Sequence, residues 1–253
     1  IEDPATGTGS AWYHKFTSTK PVKGATYTYN NLVWEDDFTT AGPDPTKWTY
    51  DLGAGGWGNG ELQTYTNSSE NVVVENGSLK IKAKANGAGY TSARLKSEGL
   101  YEFKYGRVEI RAKLPNAQGT WPAFWMLGAD FPTVGWPASG EIDIMEQKGT
   151  DKTTIHGTVH YPGNSGGNGP TKSTAITNAS TEFHNYTVEW SDTKIEFFLD
   201  GVSYHVFTND ATKPFNKDYF LILNLAMGGT LGGTVDPAFT EDFMEIDYVK
   251  VYQ

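Results

Sequence analysis

A two-residue alternation between apolar and charged side chains recurs along the chain and limits what it can fold into. At residues 78–84, Leu79, Ile81 and Ala83 alternate with Lys80, Lys82 and Lys84; at 107–113, Val108, Ile110 and Ala112 alternate with charged residues. Only a pleated strand places every second residue on one face, so each segment reads as a strand with one dry and one wet side. Residues 194–207 contain two such runs joined at Asp200-Gly201, a pair that tolerates the positive φ angles of a two-residue hairpin turn. Residues 219–227 are apolar on both faces except at Asn224, which predicts a strand inside a sheet. No segment keeps a helical apolar period for three turns, so any helix is short. The 29 Gly and 12 Pro supply turns between segments rich in Trp, Tyr and Phe. Antiparallel strands with turns about every ten residues predict an all-β sandwich or barrel.

The first thirty residues are rich in Gly, Thr, Ser and Pro, the composition of a linker or surface arm, with Trp12, Tyr13 and Phe16 as points where it docks. Residues 31–253 contain no second linker, repeat or charge block and read as one domain. Zero Cys excludes a disulfide frame, a thiolate zinc site and a cysteine nucleophile. A formal charge of −10 would repel phosphate backbones and anionic lipid, so neither nucleic acid nor a membrane surface is an expected partner. No apolar run approaches the roughly 20 residues that cross a bilayer. The start at Ile1, without a charged and apolar leader pattern, reads as that of a trimmed, soluble product. A monomer is expected.

The most informative segment is Gly140-Glu141-Ile142-Asp143-Ile144-Met145-Glu146-Gln147. In a strand, Glu141 and Asp143 share one face while Ile142 and Ile144 point into a core. Glu146 has the wrong parity: an unbroken strand would bury its carboxylate among apolar neighbours at several kcal/mol. One extra residue at Ile144–Met145, a β-bulge, would return it to the face of the other two acids. Three carboxylates on one face repel, and shielding from water raises at least one pKa, so the row implies proton chemistry or a bound cation. Glycoside hydrolysis uses such a set: one protonated carboxyl as general acid, and one ionised as nucleophile about 5–5.5 Å away when configuration is retained. With the bulge, the Cα atoms of Glu141 and Glu146 would lie about 13 Å apart, a gap that inward-leaning side chains can narrow. The plainer alternatives are a solvated acidic strand or a calcium site. Around this strand the sequence supplies Trp57, Asn59, Glu61, Gln63, Tyr65, Trp121, Trp125 and Trp136, flat rings and polar groups of the kind that hold sugars. For Trp121 and Trp125, core packing is an equal alternative to the cleft.

GEIDIMEQ, together with WGNGELQTYT, YTSARLKS, GTWPAFWMLG, HGTVHYPG and MEIDYVKVYQ, resembles the laminarinase branch of glycoside hydrolase family 16, in the family's order from about Val33 to Gln253. The resemblance implies a β-jelly-roll sandwich of two curved antiparallel sheets with the substrate cleft on the concave face. It implies Glu141 as nucleophile, Asp143 as assisting acid and Glu146 as general acid/base, with Asn59, Glu61, Arg94, Trp121, Trp125, Trp136 and His160 contacting the glucan. The implied activity is retaining endo-hydrolysis of laminarin-type β-1,3-glucan, with no cofactor needed for catalysis. It also implies a structural Ca²⁺ on the convex side, held by Asp37 or Glu35, the carbonyl of Gly77, and Asp247. Action on polysaccharide makes a secreted, extracellular protein the expectation. The competing readings are a mixed-linkage β-1,3-1,4-glucanase, an enzyme of algal galactan, and a non-catalytic glucan-binding module.

Overall fold

The computed structural model describes residues 28–253, so most of the expected arm, with Trp12, Tyr13 and Phe16, lies outside the described residues. Seventeen strands follow in chain order among them: β1 (Leu32–Asp36), β2 (Thr49–Tyr50), β3 (Gln63–Tyr65), β4 (Val72–Glu75), β5 (Ser78–Asn86), β6 (Gly89–Ser92), β7 (Arg94–Lys96), β8 (Gly106–Lys113) and β9 (Thr120–Gly128). They continue with β10 (Glu141–Glu146), β11 (Thr154–His160), β12 (Thr171–Ala175), β13 (His184–Trp190), β14 (Lys194–Leu199), β15 (Val202–Thr208), β16 (Tyr219–Met227) and β17 (Glu241–Tyr252). The α-helices are single four-residue turns, α1 (Phe131–Val134) and α2 (Gly229–Gly232), as the absence of a helical period implies.

Two sheets form a β-jelly-roll sandwich. One has ten strands in the order β15-β14-β13-β8-β17-β5-β6-β3, with β1 on β17 and β4 on β5; the other has seven, β12-β11-β10-β9-β16-β7-β2. The pairing is antiparallel except between β3 and β6, which run parallel. That departs from the all-antiparallel expectation. The chain returns from β3 to β6 through the β4-β5 hairpin, which supplies the long connection a parallel pair requires.

The period-two segments behave as their pattern demands. Leu79, Ile81 and Ala83 of β5 and Ile110 and Ala112 of β8 are fully buried between the sheets. Asp200 and Gly201 take φ of 50° and 78° between the paired Leu199 and Val202, the two-residue hairpin read from the sequence. Strand β16 lies between β9 and β7 and is buried along all nine residues. Its odd-numbered residues enter the core between the sheets; Phe220, Ile222 and Asn224 face the other way, on the outer face of the seven-stranded sheet. The two ends of the domain meet, since Asn31 and Gln253 exchange backbone hydrogen bonds.

Candidate active site

The bulge on β10 organises the outer face of the seven-stranded sheet. Asp143 opposes Trp125 on β9 and Met145 opposes the next residue, Phe124, so Ile144 is extra on that side; on the β11 side the register slips between Asp143 and Glu146. Ile142, Ile144 and Met145 all bury in the core. The slip turns Glu146 back beside Glu141 and Asp143 and spares the core a carboxylate.

Three cross-strand rows result. Phe220, Leu127, Glu141 and His160 form one; Lys96, Ile222, Trp125, Asp143 and Thr158 the second; Arg94, Asn224, Ala123, Glu146 and His156 the third. The acids occupy equivalent places in successive rows, with aromatic and apolar side chains to one side and two histidines to the other.

The carboxyls are shielded, with side-chain exposures of 17% for Glu141 and 5% for Asp143. Burial, then the charge of Asp143, pushes the Glu141 carboxyl well above the ordinary carboxylate range, while His160 pulls it back. Burial and the charge of Glu146 push Asp143 up. Burial raises Glu146, opposed first by a hydrogen bond from Trp121. Packed together away from water, the trio retains a proton above the pH at which free carboxylates have lost theirs. His160 Nε2 lies 3.1 Å from Asp143 Oδ2 and 3.5 Å from Glu141 Oε1, close enough to oppose the upward shift of the Glu141 carboxyl. Trp121 Nε1 donates to Glu146 Oε1 at 3.1 Å, leaving the other oxygen of Glu146 to carry the proton. A buried proton donor beside a carboxylate can perform general acid and nucleophilic chemistry together.

The remaining sequence-predicted residues lie on both sides of the acids: Arg94, Trp57 and Glu61 toward β7, and Trp136 beside His160. The Arg94 guanidinium lies 4.7 Å from the ring centroid of Trp125 and 5.0 Å from that of Trp57, and its Nε pairs with Asp51 at 2.9 Å. Glu61 accepts hydrogen bonds from Asn59, Gln63 and Tyr65 at 3.0, 2.6 and 3.1 Å. Trp136 is 46% exposed, with its ring 5.9 Å from that of His160. Trp121 and Trp125 belong to the cleft face, not to the main core cluster. Gly169 covers the other side of His160, where a Cβ would meet the ring at 2.6 Å, so any larger residue would displace the imidazole.

Several residues in this network are not among the sequence candidates. Asn224 accepts from Trp125 Nε1 at 2.7 Å and donates to the Tyr65 hydroxyl at 3.0 Å, linking the two halves of the floor. Its signal was a lone polar residue in an apolar strand. His156 adjoins Glu146, and its signal was its even spacing from His160 in HGTVH. Lys152 donates to the carbonyl and hydroxyl of Thr120 at 3.0 and 2.7 Å and fastens the loop after β10 to the start of β9. Burial brings its pKa down to about 8.

The convex-side residues suggested for calcium have protein partners. Asp247 pairs with Arg111, Asp37 accepts from Thr39 at 3.0 Å, and Glu35 lies 4.0 Å from Lys250. Gly77 occupies the β4-β5 turn with φ of 75°. Among the described residues, the His, Asp and Glu side chains that converge closely enough to share an ion are Glu141, Asp143 and His160.

The sequence matches the family model for glycosyl hydrolases family 16 over residues 59–250. A β-glucanase of Rhodothermus marinus is 44% identical over 243 residues, covering 88% of this chain and 85% of that protein. Glucan endo-1,3-β-glucosidase A1 of Niallia circulans is 36% identical over 257 residues; the match covers 88% of this chain but 38% of that longer protein. The structure of a glutamate-to-serine variant of LamA from Z. galactanivorans, in complex with laminaritriose and laminaritetraose, superimposes with a TM-score of 0.81 at 44% identity, over 89% of this chain and 100% of that one.

Proposed function

The chain belongs to glycosyl hydrolase family 16, and from that membership and its three-carboxylate row we infer that it is a retaining endo-β-1,3-glucanase acting on laminarin-type glucan. The observation that carries the reading is the β10 bulge, which keeps Glu141, Asp143 and Glu146 on one shielded face beside His160.

In the proposed mechanism Glu146 donates its proton to the glycosidic oxygen as Glu141 attacks the anomeric carbon; the C–O bond to the leaving sugar breaks and a covalent glycosyl-enzyme forms. Glu146, now ionised, takes a proton from water, whose oxygen displaces Glu141 and regenerates the starting charges. Asp143 sits between the two and takes up proton and hydrogen-bond changes as the charge alternates. No step needs a cofactor. Trp121, Trp125 and Trp136 offer ring faces to glucose units, and Asn59, Glu61, Arg94 and His160 hold their hydroxyls.

Side-by-side reducing-sugar assays on laminarin, lichenan and agarose test the substrate assignment. Turnover is expected to be highest on laminarin. Preference for lichenan would make the protein a mixed-linkage glucanase, and absence of turnover on all three would leave only glucan binding.

Extracellular location, a monomeric state and independence of membranes belong to the same proposal; they rest on the polymeric, uncharged substrate and the chain's formal charge of −10. The proposal extends to a stabilising Ca²⁺ at Asp37, Gly77 and Asp247, oxygen donors of the class that ion prefers. Occupation there would require Asp247 to exchange its Arg111 partner for the ion.

A further inference from the structure

We propose that Glu141, Asp143 and His160 also form a binding site for a borderline divalent metal ion, with Zn²⁺ the first choice, and that the bound ion reversibly blocks hydrolysis. One potential ligand atom from each residue lies within 4.8 Å of the other two. His160 Nε2 is 3.1 Å from Asp143 Oδ2 and 3.5 Å from Glu141 Oε1. Four-coordinate Zn²⁺, with bonds of about 2.0–2.1 Å to nitrogen and oxygen, sets neighbouring ligand atoms about 3.3–3.4 Å apart along a tetrahedral edge. The two observed spacings bracket that value and the Glu141–Asp143 spacing is within 4.8 Å, so one ion could be held with side-chain shifts that draw the two carboxylates together.

Asp143 supplies an independent indication. Its side chain is 5% exposed, and buried Oδ2, 3.1 Å from His160 Nε2, makes no hydrogen bond of good geometry. Such an oxygen is costly to leave unmatched. The donor set also discriminates between metals: one imidazole nitrogen with two carboxylates favours Zn²⁺ or Cu²⁺, whereas Ca²⁺ takes about six to eight oxygens. The site therefore differs from the convex-side calcium proposal in both ligand class and position.

An ion here would engage the carboxylate of Glu141, the residue proposed to attack the sugar, so metal and glucan would exclude each other. The blocking effect rests on the proposed role of Glu141, but metal binding does not. Calorimetric titration of the chain with ZnCl2 in a non-coordinating buffer is expected to give one ion bound at this site. Binding should be lost in His160→Ala and Asp143→Asn and kept in His184→Ala, with melting curves verifying that each variant is folded. Laminaritetraose at ten times its own dissociation constant should weaken Zn²⁺ binding about tenfold, and Zn²⁺ should abolish laminarin hydrolysis until EDTA restores it. Equal Zn²⁺ affinity in the native chain and the two folded ligand variants would place the ion elsewhere and overturn the site. If neither variant folds, competition on the native chain decides, and an affinity unchanged by the sugar overturns it. Binding with sugar competition but undiminished hydrolysis would overturn the blocking role alone.

Discussion

At the residue scale, the proposed mechanism depends on three carboxyls whose surroundings differ although their side chains are nearly the same. Glu146→Ala removes the proton donor and is expected to lower kcat on laminarin by roughly 10²–10⁴-fold, the usual range for general acid–base catalysis. Trp121 donates to Glu146 and favours its ionised form. Trp121→Phe should therefore raise the pKa of Glu146 and move the alkaline limb of the kcat/KM profile to higher pH; an unmoved limb would show that Glu146 is not the group titrating there. The raised carboxyls also bear on stability. A carboxyl with a higher pKa folded than unfolded binds more protons in the folded state, so its burial costs stability as pH rises past the ordinary carboxylate range and through the folded value. Glu141→Gln is accordingly expected to raise the melting temperature near pH 8 and to lose that advantage near pH 4, as calorimetry at the two pH values would reveal.

At the element scale, β10 was the most legible part of the chain and its neighbours the least. Parity along six residues was enough to require a bulge at Ile144–Met145, because a misplaced carboxylate is a local contradiction. The structure puts the extra residue there. Deleting Met145 should restore an unbroken register with Glu146 still on the face of Glu141 and Asp143, so the variant should lose the packing of a buried Met at about 2–5 kcal/mol yet keep laminarin hydrolysis. Denaturant titration and a laminarin assay read the two effects. By contrast, the Arg94 contacts with Trp57 and Trp125, the Asn224 link and the position of His156 depend on which strands become neighbours. Residues 94, 125 and 224 are distant in sequence, and no local period reports their register. The parallel β3-β6 pair escaped the sequence for the same reason. Asn224→Ala leaves the Trp125 indole N–H without its acceptor and should destabilise the fold by about 1–3 kcal/mol. It is expected to raise KM more than it lowers kcat, since Trp125 is assigned to binding.

At the scale of the whole molecule, the two sheets divide the labour. The ten-stranded sheet supplies a backing of alternating apolar and charged strands, and the seven-stranded sheet presents its second face to the substrate. The all-β class and the short helices were legible because the period-two pattern recurs from β5 to β15. The calcium proposed on the convex side would act on the whole molecule: added Ca²⁺ should raise the melting temperature reversibly, with a chelator returning it to the starting value. No change in either direction would remove that site. Central to the account is the claim that Glu141 becomes covalently attached to the sugar while Glu146 handles the proton. A laminaribiosyl fluoride bearing fluorine at C2 should form a glycosyl-enzyme that hydrolyses slowly enough for peptide mapping by mass spectrometry. The account predicts the label on Glu141; a label on Asp143 or Glu146, or hydrolysis with inverted configuration and no trapped species, would contradict it.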